Sequence, residues 1–196
     1  MNIVITGESS LLALNIASYF SNKSYNVTLI GRGKESLNSF SNCKYIKVNW
    51  DNLDEFFAIN RKIDLLIHCA GMNSINCEKN SAEAFWFNTY ITARLTEICS
   101  INNVINFIYL STVHIYSATP SGLITEELLP TNNHPYARSK LSAEQLIAAI
   151  GKKRKMKYLI LRLSNVIASP TSKHINCWSL LPQNICMNLA KSKKII

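Results

Sequence analysis

Tyr136 and Lys140 stand four residues apart in the run Tyr136-Ala137-Arg138-Ser139-Lys140, a spacing that puts both side chains on one face of a helix. An ammonium held beside a phenol favours the phenolate. It therefore lowers the tyrosine's pKa and suits it to give or take a proton. About two dozen residues upstream, Ser111-Thr112 offers hydroxyls that could hydrogen-bond a substrate carbonyl or hydroxyl beside that tyrosine. Taken singly, either residue also suits a turn.

Other groups with chemical potential recur just after apolar runs. Thr6-Gly7-Glu8-Ser9-Ser10-Leu11-Leu12-Ala13 follows the first of them. A dinucleotide site needs a tight turn there, a close backbone approach to pyrophosphate, and a helix N-terminus aimed at it. Of the usual three glycines only Gly7 is present; Ser10 and Ala13 hold the other two places. Both are small, and Ser10 could donate a hydroxyl hydrogen bond to phosphate. A plain strand–helix turn accounts for the loop equally well. Gly31-Arg32-Gly33 follows the second run without the acid that binds the adenosine ribose in NAD sites. Arg32 instead suits a 2′-phosphate and favours NADP over NAD; a solvated loop arginine is the alternative. Asp51 could accept from an adenine amino group, or cap the helix beginning at Asn52-Leu53. In His68-Cys69-Ala70-Gly71 the small residues would let a backbone approach a cofactor, whereas His68 extends an apolar strand and reads as structural.

The elements that must position these groups alternate between strand-like and helix-like. The pattern predicts strands over Asn2–Thr6, Val27–Ile30, Tyr45–Val48, Ile63–His68, Val104–Leu110 and Tyr158–Leu163. Helices are expected from Ser9 or Ser10 through Phe20, and over Lys34–Phe40, Leu53–Asn60, Ala82–Ser100, Pro135–Ile150 and Leu180–Lys191. Such alternation means an α/β fold, a parallel sheet with helices on both faces. Ligands of these sheets bind at the carboxyl ends of the strands, where the candidate residues fall.

Composition narrows the function classes. The 196 residues suffice for one domain and part of another, and 47% are hydrophobic, as in globular proteins. No run is long and apolar enough to span a membrane. The N-terminal run lacks the basic lead and cleavage site of a signal peptide, so a cytoplasmic location is expected. The six cysteines are scattered without a C-x-x-C pair and read as reduced thiols. His114, His134 and His174 form no metal-ligand spacing, so no metal is expected. The net charge of +9 is concentrated in Lys152-Lys153-Arg154-Lys155-Met156-Lys157 after Gly151. This reads as a helix C-terminus with Gly151 as its C′ residue, rather than a nucleic-acid surface, which would interleave aromatics.

Together these residues resemble the extended short-chain dehydrogenase/reductase family, also called the NAD-dependent epimerase/dehydratase family, over nearly the whole chain. The family's glycine loop aligns with Gly7, Ser10 and Ala13, with Leu11 and Leu12 between. Its adenine-contacting acid aligns with Asp51, its post-strand pair with Ala70-Gly71, and its helix asparagine with Asn88. Its Ser/Thr-x-x-x-Tyr segment aligns with Thr112 to Tyr116, which makes Thr112 the hydroxyl of a Thr112-Tyr136-Lys140 triad. Its Arg-x-x-Asn-Val segment aligns with Arg162 to Val166. The resemblance implies a Rossmann-like doubly wound sheet over 1–165 and the start of a small substrate lobe over 166–196. The dinucleotide would lie on Gly7, Ser10, Leu11, Leu12 and Arg32 at one end. Asp51, Ala70, Gly71, Asn88, Tyr136 and Lys140 would complete its site. A nucleotide-linked sugar would be held by Thr112 and Asn165 and would exchange a hydride with the nicotinamide, as in an epimerase, dehydratase or reductase. The resemblance also allows a homodimer.

The chain departs from the family where Ser117 replaces a glycine and where two loop glycines are missing. It also stops where members usually continue for about a hundred residues, a size that suits a further small domain. A non-catalytic, truncated remnant that still binds NAD(P) is therefore the competing expectation.

Overall fold

The computed structural model describes residues 1–33, 40–60, 62–117, 121–171, 175, 177 and 181–192. Six strands form one wholly parallel sheet: β1 (Asn2–Thr6), β2 (Asn26–Gly31), β3 (Cys43–Lys47), β4 (Leu65–His68), β5 (Asn106–Thr112) and β6 (Lys157–Leu163). Their spatial order is β3-β2-β1-β4-β5-β6, the doubly wound arrangement with its switch point between β1 and β4. In register, Thr6 pairs with both Ile30 and His68, so the loops leaving these strands emerge side by side. The helix expected over Lys34–Phe40 lies outside the described residues, apart from Phe40.

Central strands are apolar because both faces are covered. Every residue of β4 is buried, as are four of the five in β1. On one side Val4, Ile30, Leu66 and Phe107 pack with Ile91, Leu95 and Ile98 of the helix layer and with Ala143 and Ile147. On the other, Ile3, Ile5, Leu29 and Ile67 pack on Leu11, Ala13, Leu14 and Ala17 of α1 (Leu11–Asn22). Edge strand β6 is less covered, with Leu159 51% and Leu161 36% exposed.

Three helical features differ from the sequence pattern. A short helix, α3 (Ser74–Lys79), follows β4. The expected long helix over 82–100 is instead α4 (Ser81–Phe85), a π-helical stretch over Trp86–Ile91, and α5 (Thr92–Ile101). Such π insertions add a residue to the turn and re-aim its side chains; here one of them is Asn88. α6 (Pro135–Arg154) passes through Gly151 and ends with Lys155 in the left-handed conformation, φ 56°. Gly151 is therefore not the C′ residue. A Cβ there would stand 2.4 Å from Tyr158 Cδ1, so the glycine admits that ring. The cationic cluster does lie at the helix end, with Lys152, Lys153 and Arg154 in the last turn, where charge and macrodipole agree. α2 (Asp54–Ile59) begins past Asp51, with Leu53 in the N-cap place and no side-chain cap, so the capping alternative for Asp51 fails. The last described helix, α7 (Leu181–Ser192), buries only Gln183 among its described side chains.

Candidate active site

The first loop turns at Gly7, whose φ of +86° belongs to the left-handed region that glycine adopts without steric cost. Space forbids a side chain as well: a Cβ would lie 3.0 Å from the Ala70 backbone nitrogen. Ser10 then caps α1, its Oγ accepting the Ala13 N–H at 3.1 Å. That bond uses a lone pair of the hydroxyl and leaves its proton available for a phosphate oxygen. α1 carries no acid in its first turn, which suits an anion at its N-terminus.

Thr6 and His68, at the ends of β1 and β4, lock the switch point. Thr6 Oγ1 accepts from the N–H groups of Cys69 at 3.1 Å and Ala70 at 2.9 Å. Its own proton is thus directed to His68 Nδ1 at 2.7 Å. His68 Nε2 carries the ring proton and donates to Thr92 Oγ1 at 2.9 Å. Burial, with the nearby Lys140 charge, lowers the imidazole's pKa to about 3, so it is neutral and structural. The sequence reading missed Thr6, since its role appears only when the two strand ends meet.

Asn88 supports the next layer. Its Oδ1 accepts the Met72 N–H at 2.7 Å, and its Nδ2 donates to Ser139 Oγ at 3.0 Å. The asparagine therefore links the loop after β4 to α6, and its side chain is occupied by protein partners. Gly71 lies between this amide and the lysine: a Cβ there would be 3.3 Å from Asn88 Oδ1 and 3.9 Å from Lys140 Nζ.

Thr112, Tyr136 and Lys140 converge on a cleft of about 270 Å³, which Leu12, Gly71, Leu163, Ser164 and Val166 also line. Asn165 is not among its lining residues and is exposed. The Ser111 hydroxyl is taken up by Glu144, which leaves Thr112 as the hydroxyl acting on Tyr136. Burial raises the Tyr136 pKa, while the Thr112 side chain, within hydrogen-bonding reach, pulls it back. Lys140 is not among the causes of that shift, contrary to the expectation that its ammonium lowers the phenol's pKa. The lysine is engaged elsewhere. Its Nζ donates to the Leu110 carbonyl at 2.6 Å and stands 4.1 Å from the centre of the Tyr109 ring. Burial lowers its own pKa to about 8, with Glu144, Cys69 and Cys77 opposing the shift.

A second cleft, of about 550 Å³, opens farther along the sheet between Arg32, Val48, Trp50, Asp51 and Trp86. It has the aromatic and polar lining that an adenine ring requires. The Arg32 guanidinium sits 5.5 Å from the centre of the Phe87 ring. The residues present thus fit an extended dinucleotide: a glycine cradle and helix N-terminus flanked by one cleft on each side.

Beside Arg32 lies a group whose place the sequence reading missed. Glu8, from the first loop, is buried, and its Oε1 accepts the Gly33 N–H at 2.9 Å. No spacing rule pairs position 8 with the end of β2; only parallel pairing of β1 with β2 brings them together. Among the described residues no group of three His, Cys, Asp or Glu could hold a metal ion, and no helix could cross a membrane. All six cysteines are free thiols. Glu126 and Glu127 are exposed, away from the cleft lining.

Residues 3–195 match the NAD dependent epimerase/dehydratase family. Human and bovine dTDP-D-glucose 4,6-dehydratases are each 28% identical over 137 residues, 67% of this chain but 39% and 38% of those proteins. The chain thus spans about two-fifths of the curated relatives it matches. Among solved structures, UDP-glucose 4-epimerase from Thermotoga maritima, determined with UDP-glucose, has a TM-score of 0.79 at 20% identity. That match covers 88% of this chain and 58% of that one. UDP-glucuronic acid 4-epimerase from Bacillus cereus, with UDP-glucuronic acid and NAD, has a TM-score of 0.79 at 23% identity, covering 97% and 63%. These likenesses establish the Rossmann-like fold.

Proposed function

The chain belongs to the NAD dependent epimerase/dehydratase family, and on that premise we propose that it binds a nicotinamide dinucleotide and moves a hydride and a proton at a nucleotide-linked sugar. The observation that carries this reading is the convergence of Thr112, Tyr136 and Lys140 on one cleft beside Gly71. The Gly7 turn and Ser10 would hold the pyrophosphate. Asp51 and its cleft would take the adenine, and Lys140 would hold the nicotinamide ribose. The dinucleotide, when bound, supplies the hydride donor or acceptor.

The chain's residues handle the proton. Tyr136 gives it to, or takes it from, the sugar oxygen, and Thr112 orients that oxygen by hydrogen bonding. Burial holds the phenol protonated, so the resting site offers an acid to a carbonyl. Reduction is the direction in which Tyr136 starts with its proton in place. Lys140, its pKa lowered to about 8 by burial, loses its charge as pH rises through that value. Oxidation, epimerisation and dehydration share this exchange.

The test incubates purified chain with either dinucleotide and a set of UDP- and dTDP-linked sugars, follows absorbance at 340 nm for net oxidation or reduction, and separates the sugar products by chromatography for epimerisation or dehydration. Turnover should fall about 100-fold or more in Tyr136→Phe, with dinucleotide affinity held within about threefold. Activity that survives the substitution removes Tyr136 as the acid–base. Dinucleotide binding without hydride exchange on any sugar favours the non-catalytic reading, a remnant that keeps the cofactor site alone.

A further inference from the structure

We propose that Glu8 is the residue that selects the dinucleotide, and that it selects NAD over NADP by taking the adenosine ribose 2′-hydroxyl. The inference rests on the dinucleotide site proposed above. The expectation of NADP rested on the missing acid at the end of β2 and on the Arg32 charge. The fold supplies the acid from another strand. A Cβ built on Gly31, the last residue of β2, would lie 1.5 Å from Glu8 Oε2 and 2.0 Å from its carboxyl carbon. The carboxylate therefore occupies the volume that the side chain of an acid at position 31 would fill, the place from which such acids bind the ribose hydroxyls.

Three further features fit this arrangement. Gly31 and Gly33 both leave room for the carboxylate, since a Cβ on Gly33 would stand 2.6 Å from Glu8 Oε1. The Gly33 N–H fixes one carboxylate oxygen at 2.9 Å. The other oxygen retains acceptor capacity for a ribose hydroxyl. Glu8 is also next to Gly7, so the same turn that would receive pyrophosphate sets the carboxylate one ribose away. A 2′-phosphate in this place would put two anions in contact inside a poorly solvated pocket, a repulsive device that discriminates strongly. Arg32, drawn over the Phe87 ring, is left to line the adenine cleft.

The test is the ratio of NADH to NADPH affinity, read by fluorescence titration of the whole chain. The wild-type protein should bind NADH at least tenfold more tightly than NADPH. Glu8→Gln, which keeps the shape and removes the charge, should bring the ratio within about threefold. Glu8→Gly should do the same, and adding Gly31→Asp to it should restore the preference, because Gly31 lies outside the positive-φ region and accepts a side chain. Equal or tighter NADPH binding by the wild type overturns the proposal, as does an unchanged ratio in Glu8→Gln. A gain in affinity for both dinucleotides in Glu8→Gln also overturns it, since Glu8 would then merely block the site. Binding of neither dinucleotide overturns the proposed function as well, whereas binding without selectivity overturns this inference alone.

Discussion

Replacing Lys140 by methionine should change how stability depends on pH. Methionine keeps the length of the side chain and removes the charge. Lys140 is 5% exposed, and its pKa falls from 10.5 to about 8. In that window the unfolded chain holds a proton that the folded chain has released, so stability rises with pH. Below pH 8 the folded protein bears the whole cost of the buried ammonium, about 3 kcal/mol. From pH 7 to pH 9 the stability of wild type relative to Lys140→Met should rise by about 1.3 kcal/mol. By pH 10 the rise should reach about 2.5 kcal/mol. Urea unfolding of both proteins at pH 7, 9 and 10 under reducing conditions measures it. Titration of the other lysines and of the tyrosines cancels between the two chains. A pH-independent difference would show that Lys140 keeps an ordinary pKa and that its burial next to Tyr109 does not control its charge.

Other expectations follow from neighbouring groups. His68 is held neutral with a pKa of about 3 against 6.5 when free. Stability relative to His68→Gln should therefore be lost as pH falls below 6.5, by about 3 kcal/mol at pH 4; acid unfolding of the two proteins checks this. Glu144 is buried and paired with Arg162 at 2.7 Å, so Glu144→Ala should destabilise by about 3–5 kcal/mol through the charge left behind, read by urea midpoint. The milder Glu144→Gln should lower the Lys140 pKa further, since the carboxylate raises it, seen as an earlier rise in the stability–pH curve. Gly7→Ala should cost about 1–3 kcal/mol from its positive φ alone and weaken NADH binding, because its Cβ pushes on the Ala70 nitrogen.

The sheet was legible because buried parallel strands are nearly continuous apolar runs. Ile63, Leu65, Leu66 and Ile67 show this, although the strand itself begins at Leu65. The Tyr136–Lys140 pair was legible because helical spacing is local. What the lysine does was not. Its place is set by the Leu110 carbonyl and the Tyr109 ring on β5 and its charge by burial, neither of which any spacing on α6 reveals. The end of α6 was misplaced because Gly151 answers to Tyr158 across the packing, a tertiary demand that overrides a glycine's tendency to stop a helix. The absence of an acid after β2 was legible, but the arrival of Glu8 at that place was not, since it comes only through the pairing of β1 with β2.

One dinucleotide is proposed to run from the Trp50–Asp51 cleft, across Gly7 and Ser10, to Lys140 and Tyr136. A crystal structure of the chain grown with NAD tests it most directly. The expected result is pyrophosphate at the N-terminus of α1, the adenosine ribose on Glu8 and the nicotinamide ribose beside Lys140. A dinucleotide seated instead at the opposite end of the sheet would overturn that placement. A cleft of about 700 Å³ opens there between Asn2, Asn26, Lys44 and Lys62.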